Sequence, residues 1–138
     1  MPWKILIADD EVAIANVVAR KLQNAGLEAI VTTDGQEAYE RASAERPDFI
    51  ITDLQMPGMS GLELCQRLTT ELDKPIPTIL LTAKGFEIDG TSLAHLPILR
   101  VMAKPFSPSE ILANVREALG IRTASPATRF ARSGVTGS

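Results

Sequence analysis

The chain is short of residues on which several common classes of protein depend. Its 138 residues include one cysteine, Cys65, one histidine and only 4% aromatic residues. One cysteine cannot form an internal disulfide or a cysteine-rich zinc site, and without a secretory leader we expect a reducing, cytoplasmic setting. Few aromatic residues leave little for stacking on nucleic-acid bases, and no apolar run reaches the length of a membrane span. We therefore expect no direct binding to nucleic acid or to a membrane.

Charge divides the chain into two parts. The net charge of −3 and the isoelectric point of about 5.2 disfavour nonspecific binding to phosphate backbones. Residues 1–120 carry 11 basic and 17 acidic side chains, whereas residues 121–138 carry three arginines and no acid. The second part is small and polar without apolar periodicity, which is typical of disorder. We expect one folded domain over 1–120 and a basic, disordered tail over 121–138.

Five short apolar runs recur along residues 1–120, and most are continuous rather than alternating. Continuous runs of this kind indicate strands covered on both faces, as in a parallel sheet between layers of helices. Each gap between two runs has room for one crossover helix. The sequence therefore predicts an α/β fold with a doubly wound parallel sheet. The runs begin near Lys4, Ala29, Phe49, Thr78 and Leu99.

The segments between the runs carry helical signals. An apolar stripe from Ile14 to Ala25 ends at Gly26, a predicted helix cap. Residues 60–63 and 107–110 each form a capping box, which predicts a helix start at both places. A further helix is expected from about residue 36 to residue 44. The segment 84–97 contains two glycines and ends in a proline, so we expect a short or irregular helix there.

Polar side chains follow four of the five predicted strands. Parallel strands bring their carboxyl ends to one edge of the sheet, where ligands bind in such folds. Singly, each residue could cap a helix, open a turn or be solvated. Their joint placement at one edge favours a site. The residues are the triplet Asp9-Asp10-Glu11, Asp53, Thr82 and Lys104.

Clustered carboxylates repel one another unless a cation lies among them, and hard oxygen ligands suit Mg²⁺. An incomplete carboxylate set also leaves Mg²⁺ free to contact a phosphate group. The ion, Lys104 and the Thr82 hydroxyl could then neutralise a phosphoryl group during transfer. One carboxylate could itself attack and form an aspartyl phosphate.

These residues, with their neighbours, resemble the signature of receiver domains of two-component response regulators, including single-domain regulators of the chemotaxis type. The matching motifs are Asp9-Asp10, the stretch IITDLQMPGMSG around Asp53, Leu81-Thr82-Ala83 and Lys104-Pro105-Phe106, in this order. The resemblance covers residues 3–120. It implies a flavodoxin-like, three-layer fold with strand order 2-1-3-4-5. The first and fifth helices would lie on one face and the second, third and fourth on the other.

The resemblance also implies roles for single residues. Asp53 would accept a phosphoryl group from phosphohistidine on a sensor histidine kinase or a histidine phosphotransfer protein. Asp10, Asp53 and the backbone carbonyl of Gln55 would bind Mg²⁺, or alternatively Mn²⁺, and Asp9 would act through a bound water. Lys104 would contact the phosphoryl group across a cis bond to its proline.

Thr82 would turn toward the phosphoryl oxygen, and the small Ala83 would keep the site accessible. The chain would then be a binding module switched by phosphorylation. It would not be an enzyme beyond self-phosphorylation from small donors and slow self-dephosphorylation. The downstream protein partner is not implied, and a homodimer that forms on phosphorylation stays open.

One position departs from the family pattern. Receiver domains usually have an aromatic residue three positions before the lysine, and here that position is Val101. A valine has no ring to move between buried and exposed positions, so we expect the signal to travel through segment 84–97 instead.

Two alternatives stay open. The first is a small Mg²⁺-dependent phosphohydrolase that works through an aspartyl phosphate, although Gln55 stands where such enzymes usually keep a second acid. The second is a receiver-like scaffold that takes no phosphate, against which the full acidic set argues.

Overall fold

Helices and strands alternate along the chain in the computed structural model, which describes residues 3–83, 93 and 95–120. Five strands lie at the predicted apolar runs: β1 Lys4–Ala8, β2 Glu28–Thr32, β3 Phe49–Asp53, β4 Thr78–Thr82 and β5 Ile98–Ala103. Four helices follow four of them: α1 Val12–Asn24, α2 Gly35–Glu45, α3 Gly61–Glu71 and α4 Pro108–Leu119. The helix expected within 84–97 falls largely outside the described residues, as does the tail 121–138.

All neighbouring strands of the sheet are parallel, in the order β2-β1-β3-β4-β5. This confirms the flavodoxin-like fold that the resemblance implies. Ile7 of β1 pairs with Val31 on one side and with Ile51 on the other, so β1 and β3 are neighbours at the centre. The strand order reverses between these two strands, which is where such sheets bind their ligands.

Two apolar layers cover the two faces of the sheet. Alternation along β1 shows the division, since Ile5 and Ile7 enter one layer while Leu6 and Ala8 enter the other. The first layer includes apolar residues of α1 and α4, and the second includes those of α2 and α3. Burial on both faces explains why the central strands are continuously hydrophobic.

The ends of the helices follow the sequence signals with one exception. Gly26 has a φ of 88°, the left-handed conformation that favours glycine after a helix. Ser60 accepts a hydrogen bond from the Glu63 backbone N–H at 3.1 Å, as its capping box predicts. The helix start predicted at residues 107–110 is confirmed, with Ser107 as the N-cap residue and Pro108 as the first helical residue, but the Ser107 side chain makes no cap hydrogen bond. The Ser107 carbonyl accepts from the Glu110 N–H at 3.0 Å, which already uses the donor that the hydroxyl would cap.

No helix among the described residues is both long and apolar enough to span a bilayer.

Candidate functional site

Three aspartates meet at the carboxyl edge of the two central strands. Asp53 is the last residue of β3, and Asp9 directly follows β1. Asp9 is fully buried, Asp53 is 7% exposed and Asp10 is exposed. One carboxylate oxygen from each lies within 4.8 Å of the others, in a grouping that could hold a metal ion. The structure therefore brings together the three acidic side chains that the sequence places at this edge.

Lys104 supplies the positive charge of the cluster. It follows β5, and its backbone N–H donates to the Thr82 carbonyl at 2.8 Å, which fixes the backbone beside the end of β4. The peptide bond to Pro105 is cis, as expected. The ammonium nitrogen Nζ lies 3.2 Å from Asp9 Oδ2 and 3.3 Å from Asp53 Oδ2. Lys104 thus contacts both buried aspartates.

One oxygen of Asp9 is poorly satisfied. Oδ1 accepts a hydrogen bond from the Glu11 backbone N–H at 2.9 Å. Oδ2 is buried and has no hydrogen-bond partner among the described residues, although Lys104 Nζ lies at ion-pair distance. A buried carboxylate oxygen without a hydrogen bond is costly. This orphaned oxygen beside two further carboxylates fits a cation or its bound water.

Burial and charge act in opposite directions on the two central groups. Burial raises the pKa of the Asp53 carboxyl above its ordinary value, the Lys104 ammonium lowers it and Asp9 raises it, with a net upward shift. Burial lowers the pKa of Lys104, but its hydrogen bond to Glu11 and the charges of Asp53 and Asp9 outweigh burial and raise it. The Lys104 ammonium is therefore charged at neutral pH. Its charge offsets only part of the cost of burying the Asp53 carboxylate.

Two close backbone approaches fix the loop that follows Asp53. A Cβ atom on Gly61, the first residue of α3, would lie 2.3 Å from the Asp53 carbonyl oxygen. A Cβ on Gly35, the first residue of α2, would lie 2.1 Å from the Met59 carbonyl oxygen. Real Cβ atoms do not approach so closely, so only glycine lets these helices begin here. The two glycines allow α2 and α3 to hold the loop against the site.

The remaining predicted residues lie around the same edge. Thr82 is the last residue of β4 and is 3% exposed, and Ala83 follows it and is exposed. Gln55 is exposed in the loop two residues after Asp53. Val101, at the position of the usual aromatic switch, is 40% exposed on β5.

Glu11 is a member of the site for which the sequence analysis predicts no role. Its Oε1 lies 2.7 Å from Lys104 Nζ, the shortest of the lysine's contacts. The acidic triplet after β1 includes this residue, but spacing alone does not tell whether its side chain faces solvent, the helix or the lysine. Within the described part of the chain, three carboxylates, those of Asp9, Glu11 and Asp53, therefore contact the Lys104 ammonium.

A family model for the response regulator receiver domain matches residues 5–116. The chain belongs to the response regulator receiver domain family. The receiver match includes every predicted site residue. The domain is thus a signalling domain of two-component systems, and its acidic cluster fits the metal site of that family. Receiver domains interact with histidine kinases or phosphotransfer proteins.

Individual relatives agree with the family. The alkaline phosphatase synthesis transcriptional regulatory protein PhoP of Bacillus subtilis is 37% identical over 119 residues, covering 86% of this chain and 49% of that protein. The chain thus spans about half the length of the curated relatives it matches. Chemotaxis response regulator CheY4 of Vibrio cholerae has a TM-score of 0.76 at 30% identity, covering 85% of this chain and 98% of that one. The receiver domain of AraT from Geobacillus stearothermophilus gives 0.74 at 31% identity, covering 87% and 97%.

Proposed function

We propose that Asp53 accepts a phosphoryl group and that its phosphorylation switches binding to a partner protein. The observation that carries this proposal is the position of its carboxylate, which is nearly buried between Asp9 and the Lys104 ammonium at the central edge of the sheet. A carboxylate oxygen of Asp53 attacks phosphorus, the bond from phosphorus to the donor nitrogen or oxygen breaks, and the donor leaves with that electron pair. The product is an aspartyl phosphate.

Asp10 and Asp53 would hold Mg²⁺ directly with the Gln55 carbonyl, and Asp9 would hold it through water, with Mn²⁺ as the alternative ion. Three carboxylates within 4.8 Å and the orphaned Asp9 Oδ2 support this assignment. The ion supplies charge neutralisation for the phosphoryl oxygens. Mg²⁺ prefers hard oxygen ligands, and the cluster offers carboxylate oxygens.

The protein's own groups would position and stabilise the transferred phosphoryl group. Lys104 reaches Asp53 Oδ2 at 3.3 Å, so a small displacement of its ammonium brings it to a phosphoryl oxygen. Thr82 stands at the end of the neighbouring strand β4, from which its hydroxyl would donate to the same group. The exposed Ala83 leaves an approach for the donor. No catalytic residue beyond these is required, because phosphoryl transfer depends mainly on positioning and charge.

The donor we propose is a phosphohistidine on a sensor histidine kinase or a phosphotransfer protein. Such a donor must contact the surface around Asp53, and a cavity of about 320 Å³ adjoins Lys104 there. Its lining is mostly apolar and includes Ile14, Val17 and Phe106. A protein donor could bury apolar side chains in this cavity, which a small phosphodonor would not need.

We further propose that residues 1–120 are the phosphorylated unit, with the basic tail 121–138 outside it. We place the domain in the cytoplasm, on the basis of its membership of the receiver family. Turnover would be limited to self-phosphorylation from small donors and slow self-dephosphorylation. The phosphorylated domain would bind a downstream protein partner, or a second copy of itself as a homodimer.

The test is intact mass after incubation with acetyl phosphate and Mg²⁺. We expect one phosphoryl adduct on the wild type, which disappears in Asp53→Asn and when EDTA removes the ion. Asp48→Asn is the matched control, because Asp48 directly precedes the same strand at its opposite end and should leave the adduct intact. An adduct that persists in Asp53→Asn, or a wild type that neither gains mass nor releases phosphate over time, would contradict the proposal. Release of phosphate from phosphate monoesters as well as from acetyl phosphate would instead favour a phosphohydrolase.

A further inference from the structure

Glu11 occupies the N-cap position of α1, yet its side chain does not cap the helix. Its backbone does what the position requires, since its carbonyl accepts from the Ala15 N–H at 3.1 Å. The carboxylate instead lies 2.7 Å from Lys104 Nζ, although 58% of the Glu11 side chain is exposed. The position of Glu11 at the helix cap therefore does not explain the direction of its side chain. The ion pair with Lys104 explains it.

Lys104 has three N–H donors and three carboxylate partners. Beyond Glu11, these are Asp9, whose Oδ1 accepts from the ammonium at 3.5 Å, and Asp53, whose Oδ2 accepts at 3.3 Å. A phosphoryl group on Asp53 adds oxygens that need the same ammonium, so at least one existing contact must be lost. Asp9 and Asp53 belong to the proposed metal-binding set and stay within it. Glu11 is the partner outside that set, and it forms the shortest contact.

We infer that Glu11 is a positioning residue that holds Lys104 in the unphosphorylated domain and opposes its transfer to the phosphoryl group. This inference rests on the proposed function. The Glu11 carboxylate interacts more strongly with Lys104 before phosphorylation than after it, and such a differential interaction shifts the balance toward the unphosphorylated state. An ion pair this exposed changes an equilibrium or a rate by up to about five-fold.

The test compares Glu11→Gln with the wild type in its rate of phosphorylation by acetyl phosphate at saturating Mg²⁺, followed by intact mass. Glutamine keeps the size of the side chain and removes its charge. We expect the variant to react about two- to five-fold faster at low ionic strength. The difference should shrink at high ionic strength, because salt screens an exposed pair.

Glu63→Gln is the matched control. Glu63 is exposed in the first turn of α3, at the same edge of the sheet, and the Lys104 ion pairs in the described residues do not include it. This variant loses the same charge without losing a lysine contact, so we expect the wild-type rate. An equal acceleration in Glu63→Gln would show a general effect of negative charge and overturn the inference.

Two further measurements separate positioning from structure and from metal binding. The thermal midpoint of Glu11→Gln should lie within a few degrees of that of the wild type, because an exposed ion pair contributes little to stability. Calorimetric Mg²⁺ titration establishes the saturating concentration for each protein. A rate in Glu11→Gln equal to or below that of the wild type overturns the inference while the proposed function stands. A wild type that takes no phosphoryl group overturns the proposed function and, with it, this inference.

Discussion

Aspartates lie at both edges of the central strand pair β1 and β3, Asp48 at the amino edge and Asp9 and Asp53 at the carboxyl edge, and the two edges use them differently. At the amino edge of the sheet, Asp48 accepts a hydrogen bond from the Lys4 backbone N–H at 2.8 Å, so its carboxylate joins two strands. At the carboxyl edge, Asp9 and Asp53 share one lysine, and an oxygen of Asp9 lacks a hydrogen bond in the described structure. One edge is saturated by its own backbone, whereas the other keeps unsatisfied charge. Unsatisfied charge of this kind is available for a ligand.

The largest expected difference between the edges comes from glycine. Gly61→Ala places a Cβ 2.3 Å from the Asp53 carbonyl oxygen at the carboxyl edge, and we expect a loss of about 3 kcal/mol in the free energy of unfolding. Gly26→Ala at the amino edge has no atom within 4 Å and costs only its left-handed conformation, about 1 kcal/mol. Chemical denaturation of both variants measures the two losses.

Phosphorylation provides the second measurement for this pair. Gly61→Ala must shift either the backbone of Asp53 or the start of α3 against it. The folded fraction of this variant should therefore accept a phosphoryl group from acetyl phosphate more slowly than the wild type. Gly26→Ala should keep the wild-type rate. Equal losses of stability in the two variants would contradict the distinction between close approach and backbone conformation.

Aspartate to asparagine substitutions should change stability in opposite directions at the two edges. Burial raises the pKa of Asp53, so its ionisation costs folding free energy. In EDTA at neutral pH, Asp53→Asn should therefore unfold at a higher temperature than the wild type. Asp48→Asn weakens a charged acceptor of a backbone N–H and should lose about 1 kcal/mol.

The pH dependence gives the sign of the Asp53 effect. An acid with a raised pKa in the folded state binds protons more tightly there, so stability falls as pH rises above its ordinary value of 3.8. The advantage of Asp53→Asn should disappear below that pH. Excess Mg²⁺ should also reduce it, since the ion stabilises the protein that binds it more tightly. Loss of stability in both variants at neutral pH would show that the edges do not differ in this way.

The sequence predicted the strands and the edge on which the site lies because both depend on local patterns. Continuous apolar runs identify buried strands, and the residue after each run must lie at the carboxyl edge of a parallel sheet. The order of the strands came only from the resemblance, because periodicity does not tell which strands are neighbours. Asp9, Asp53 and Lys104 meet only in that order, which brings β1 beside β3.

Side-chain direction could not be predicted from the same patterns. Glu11 faces Lys104, 93 positions away along the chain, and a cap residue gives no sign of such a partner. Asp48 likewise bonds to a strand 44 positions away. These choices depend on tertiary distances between ends of strands, and spacing within one segment carries no information about them.

The smallest expected effect sharpens the comparison within the carboxyl edge, where two serines precede helices in the same kind of motif. Ser60 caps the Glu63 N–H at 3.1 Å, so Ser60→Ala should lose about 1 kcal/mol. Ser107 uses its carbonyl instead, and Ser107→Ala should stay within about 0.5 kcal/mol of the wild type. The midpoints of chemical denaturation measure both losses of stability, provided that the free energy of unfolding depends equally steeply on denaturant concentration in both variants. Equal losses would mean that the Ser107 hydroxyl caps α4 in solution, and that the motif, not its local backbone, decides the cap.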